Sequence, residues 1–131
     1  MTYYMAATLQ VPFEEAIELV EAALKAEGFG VLTRVDIQAT LKSKIDVDFR
    51  PYTILGACNP KLAHEALQLE DKVGTMLPCN VVVQRKGDGV IEVAAVDSVA
   101  SMKAIDNPVL REAAMVVRDK LIRAIKALTG T

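Results

Sequence analysis

Residues 80–96 read NVVVQRKGDGVIEVAAV, two arms of β-branched and apolar residues joined across Lys86-Gly87-Asp88-Gly89. That pattern predicts an antiparallel hairpin with arms over 80–85 and 90–96. Val81, Val82 and Val83 make the first arm apolar on both faces, which suits a strand in the middle of a sheet.

Working outward, Asp97 is placed to cap a short helical turn through Met102, and Asn107-Pro108 is a capping residue followed by a proline at the first helical position. The helix this opens carries Leu110, Ala114, Val117, Leu121, Ile125 and Leu128 as one apolar stripe. Val109, Ala113 and Val116 are expected to widen the stripe, while Met115 and Ile122 fall outside it. Toward the amino terminus, Asn59-Pro60 repeats the cap-and-proline device ahead of Leu62, Ala63, Ala66, Leu67 and Leu69, and Tyr52–Ala57 reads as a buried strand. Residues 71–78, with Gly74 and Pro78, read as an irregular crossing.

Earlier still, Ile37, Leu41 and Ile45 recur every four residues behind Asp36, which predicts a helix over 37–45 after a strand at Val31–Val35. Pro12 opens a helix with Phe13, Ile17, Val20 and Leu24 on one face, and Gly28 ends it. Residues 2–10 complete the set as an entry strand. The order β-α-β-α-β-α-β-β-α implies an α+β fold, a largely antiparallel sheet with helices packed on one face, in one domain spanning 1–131.

At 131 residues, 52% hydrophobic and 24% charged, the chain is expected to bury a core without staples. Aromatics make up 5%, so stacking platforms for single-stranded nucleic acid are not expected, and a net charge of −2 offers no field to recruit nucleic acid. The opening MTYYMAATLQ lacks a basic region followed by a long apolar run, and no uncharged stretch approaches membrane-spanning length. With two cysteines and no export signal, the expectation is a cytoplasmic protein with free thiols. No cofactor is implied.

Tyr52–Pro60 (YTILGACNP), Leu62–Leu67 and Leu77-Pro78-Cys79-Asn80 resemble the bacterial and archaeal family catalogued as domain of unknown function 302. The resemblance extends to Gly28-Phe29-Gly30-Val31, to Gln38-Ala39-Thr40-Leu41-Lys42 and to the hairpin, and so runs essentially the full length. Cys-Asn-Pro followed about 20 residues later by Leu-Pro-Cys is specific as a combination. The resemblance implies a compact α+β domain that forms homodimers, and no established activity. Family members often follow the last strand with Asp-Pro; this chain has Asp97-Ser98, which leaves Asp97 free as a cap and takes away any rigid turn there.

Cys58 and Cys79 are the candidate catalytic residues. Cys58 stands one place before a capped helix start, where oriented N–H groups and the helix dipole favour a thiolate. If strands 52–57 and 80–85 lie side by side, Cys79 comes near it, giving a dithiol, a persulfide carrier or a soft-metal pair. Against this stands the reading of both as small buried hydrophobes at strand ends. Asn59, His64 and Asp97 are the candidate ligand-binding residues. His64, the only histidine, lies more than a helical turn from Cys58, and with no Cys-x-x-Cys or His-x₃-His spacing no metal site is expected.

Two functions remain open. The first is a homo-oligomeric binding or interaction module, self-associating partly through the terminal helix, whose apolar residues exceed one stripe. The alternative is a thiol-dependent redox or sulfur-handling protein with Cys58 as nucleophile and Cys79 as resolving partner.

Overall fold

The computed structural model describes residues 2–130. The hairpin sits inside a five-stranded sheet made of β1 (Tyr4–Leu9), β2 (Gly30–Asp36), β3 (Tyr52–Cys58), β4 (Cys79–Gly87) and β5 (Val90–Val96). The strand order is β1-β5-β4-β3-β2, and every neighbouring pair is antiparallel. β4 is the central strand, paired along both edges, with Val81 and Val83 buried in the core and Val82 half-buried on the opposite face.

The turn is tighter than expected. β4 runs on through Lys86 and Gly87, so only Asp88 and Gly89 separate the arms, and a register shift between Arg85 and Gly87 takes up the extra residue. Gly89 adopts φ 68°, a conformation that suits glycine.

The helices are α1 (Phe13–Ala26), α2 (Ile37–Ile45), α3 (Pro60–Leu69), α4 (Ser98–Ser101) and α5 (Pro108–Leu128). Their ends are those the capping residues dictate. Asp36 accepts from Ala39 N at 2.9 Å, Asn59 from Leu62 N at 3.2 Å, Asn107 from Leu110 N at 3.1 Å and Asp97 from Val99 N at 2.9 Å. α1 closes in a Schellman arrangement: Gly28 N donates to Lys25 O and Phe29 N to Leu24 O, with Gly28 at φ 87°. Phe29 and Leu24 are then both delivered to the core.

α1 and α5 lie together on one face of the sheet. Between them and the inward residues of the strands sits the main core, with Ile17, Val20, Leu24, Leu55, Val81, Val83, Ile91, Val93 and Leu121 essentially inaccessible. A smaller apolar cluster of Ala66, Val73, Met102, Leu110 and Ala114 ties α3 and α4 to the first half of α5.

Two expectations are corrected. Residues 71–78 are not wholly irregular, because Asp71–Met76 forms a 3₁₀ helix that seats Val73 in the second cluster. Val109 and Val116 do not widen the buried stripe of α5; they are exposed, and Ala124 takes the inward place instead. A wide apolar arc on a helix cannot by itself tell which of its edges turns under.

Candidate functional site

β3 and β4 bring the two cysteines to one end of the sheet. Ala57 is directly opposed to Cys79 across the ladder, and Cys58 is the next residue along β3. The chain then turns at Asn59 into α3, while Leu77-Pro78, joined by a cis peptide bond, leads into Cys79 from the opposite direction. α5 crosses this end of the sheet and presents Leu110, Ala113, Ala114 and Val117.

These elements border a half-open apolar cavity of ≈ 40 Å³. Cys58, Cys79 and Asn59 all line it, together with Phe29 from the turn after α1 and Leu62, Ala63 and Ala66 from α3. By water-sized groups, such a space admits about three. Cys58 is half-buried and Cys79 buried, and both are free thiols. Burial, with the nearby Cys58 charge adding to it, pushes the Cys79 thiol up to about 11. At neutral pH Cys79 therefore stays protonated, because desolvation disfavours its charged form.

Asn59 sits between the start of α3 and the turn after α1. Its Oδ1 caps α3, and its Nδ2 lies where a side chain on Gly28 would come to 3.0 Å. Gly28 thus serves both the left-handed turn after α1 and the close approach of Asn59 at the rim.

His64 and Asp97 stand elsewhere. His64 is exposed on α3, with Gln68 Nε2 3.3 Å from its Nε2, and does not line the thiol cavity. Asp97 is used as the cap of α4 and borders a separate open depression with Lys103, Arg111 and Arg118. Among the described residues, no three histidine, cysteine or acidic side chains are grouped so as to hold a metal ion. The same residues contain no helix long and apolar enough to cross a membrane.

The apolar walls were not singled out by the sequence as site residues. Leu62, Leu110 and Val117 carry the same periodic signal whether they face a filled core or a void, so pattern alone does not separate the two.

The family model described as "Domain of unknown function DUF302" matches residues 5–128. The chain belongs to the DUF302 family. A solved member, titled "Crystal structure of uncharacterized conserved protein DUF302 from Bacillus stearothermophilus", is similar at 29% identity over 96% of this chain and 98% of that one, with a TM-score of 0.88. No curated protein gave a significant match. The DUF302 segment contains the thiol cavity in full, since every residue lining it falls between Phe29 and Val117.

Proposed function

We propose that this DUF302 chain is a homo-oligomeric binding module that takes a small apolar ligand, or the apolar end of a larger one, into the cavity beside Cys58 and Cys79. The observation that carries this reading is a space left at the junction of α3, α5 and the sheet, walled by alkyl groups and two thiols. Interiors normally pack to leave few voids larger than a water molecule, so a lined and reachable one is the natural place for a ligand. Asn59 supplies a polar group at the rim. Free thiols fit a reducing, cytoplasmic setting. Self-association belongs to the same reading, with Val109, Met115 and Val116 exposed on α5 as surface open to a twin subunit.

Dimethyl sulfide, an apolar probe of three heavy atoms, tests the ligand reading. Methyl resonances of Leu62, Ala114 and Val117 are expected to shift saturably on titration, and Ala114→Leu, which fills the space, is expected to abolish the response. Absence of any saturable shift in the wild-type chain overturns the reading.

A thiol-dependent reading is favoured by one asymmetry: the half-buried Cys58 and the buried, protonated Cys79 open on one cavity. In that reading the Cys58 thiolate attacks a substrate disulfide and expels one thiolate. Cys79 then loses its proton and displaces the second, leaving a Cys58–Cys79 disulfide and a fully reduced substrate. A Cys58→Ser variant that reduces disulfides as fast as the wild type removes this reading.

A further inference from the structure

The face of the sheet turned away from α1 and α5 carries a continuous apolar row. Ala6 pairs with Ala94, Ala94 with Val82, Val82 with Ile54 and Ile54 with Val35, so the row crosses all five strands. Ala6 and Val35, at the two edges, are exposed, and the three central residues remain half-buried although they sit in interior strands. Side chains so placed lack a second layer over them.

The next row along the strands is polar. Thr8 pairs with Glu92, Glu92 with Gln84 and Gln84 with Tyr52. Arg50 lies over the rings of Phe49 and Tyr52, at 4.4 and 5.7 Å from their centroids, and donates from Nε to Gln84 Oε1 at 3.0 Å. Gln84 Nε2 in turn donates to Glu92 Oε1 at 3.3 Å. A cation and an anion thus flank the central strand, joined through a neutral amide. Among the described residues neither Arg50 nor Glu92 has an ion-pair partner.

Both rows are graded. The apolar one runs from small residues on the β1–β5 side to larger ones on the β3–β2 side, and the polar one runs from acid to base in the same direction. A copy rotated by a two-fold axis lying along β4, midway between two stacked sheets, reverses both gradients. Ala94 then meets the other copy's Ile54, Ala6 meets Val35, and Glu92 meets Arg50. Small sits against large and acid against base, which is the self-complementarity a two-fold interface demands.

We infer that two copies of this chain pack these sheet faces against each other, with the Ala6–Val35 row as the apolar centre and reciprocal Arg50–Glu92 pairs beside it. The inference rests on the self-association in the proposed function and gives it a surface, the sheet face, as the main contact in place of α5. Stacked sheets of this kind align their strands to within about 30° at roughly 10 Å separation, and alanines in the row permit that approach.

The test is sedimentation of the full chain and of three variants, each checked for an unchanged circular dichroism spectrum and a cooperative melt. Wild type is expected at twice 14.2 kDa at micromolar concentration. Arg50→Glu and Glu92→Arg each create two like-charged contacts and are expected to weaken the dimer by about tenfold or more. Mixed in equal amounts they form a heterodimer in which both contacts are acid against base, and dimerisation is expected to return. Failure of the mixture to associate more tightly than either variant alone overturns the inference. A dimer indifferent to both variants but broken by Val116→Glu on α5 also overturns it, while leaving self-association standing. A monomer throughout removes self-association as well.

Discussion

Ala57 and Cys79 face each other across the β3–β4 ladder, and that register places Cys58, the next residue, on the same cavity as Cys79. A shift of one residue would turn Cys79 to the opposite face of the sheet, because side chains alternate along a strand. The site therefore depends on the pairing of two central strands rather than on a loop.

Thiol labelling of the native protein at neutral pH is expected to modify Cys58 and spare Cys79, with the second thiol appearing only in denaturant. Accessibility and protonation state both point this way, since Cys79 is 7% exposed and its thiol is pushed to about 11. Two equally fast thiols in the folded protein would contradict the described burial.

The same shift predicts a pH dependence of stability. The folded-state value of Cys79 is raised above its ordinary 9.0, so the folded state holds that proton more tightly than the unfolded chain. Its contribution is fully present below pH 9 and is lost as pH rises toward 11, amounting to about 2–3 kcal/mol at 1.36 kcal/mol per unit. Urea denaturation across pH 8–11 checks it, and Cys79→Ala, itself less stable, is expected to lose that part of the alkaline slope.

Gly56 is enclosed on the outer side of β3, where an added Cβ would collide with Thr33 Oγ1 and come within 2.7 Å of Pro78 Cγ. Gly56→Ala is expected to lower stability by about 1–3 kcal/mol, the usual cost of overpacking. Because Pro78 borders the cavity, the variant is also expected to weaken dimethyl sulfide binding. An unchanged urea midpoint would mean that Thr33 and Pro78 yield freely.

Loss of a cap isolates the start of each cap-and-proline helix. Asn59→Ala and Asn107→Ala are each expected to cost about 1 kcal/mol. Asn107 also donates to Leu69 O at 3.3 Å, so its replacement is expected to be the more damaging for the junction of α3 and α5. The two urea midpoints, compared side by side, check the order.

Much of the fold is legible in local chemistry. Asp36, Asn59, Asp97 and Asn107 each mark a helix start that the structure realises with a side-chain hydrogen bond, and Gly28 marks the end of α1. These features depend on a few consecutive residues, and so sequence suffices for them. The order β1-β5-β4-β3-β2 does not, because it is settled by which strands share a core rather than by any one strand. The bulge between Val31 and Thr33 is likewise silent in composition. At the site, the two cysteines were visible as motif residues, whereas the cavity that unites them arises from the crossing of α5 over α3, a relation between residues some 50 positions apart. His64 drew notice as the lone histidine, and its exposed place on α3 shows how little rarity says about position.

A crystal of the protein held under xenon pressure probes the cavity beside Cys58 most directly, since xenon enters apolar cavities and is visible by its scattering. One ordered xenon atom is expected between Cys58, Leu62 and Ala114, displaced in Ala114→Leu. A crystal that takes up no xenon there, with the Leu62 and Val117 side chains closed over Cys58, would contradict the ligand reading.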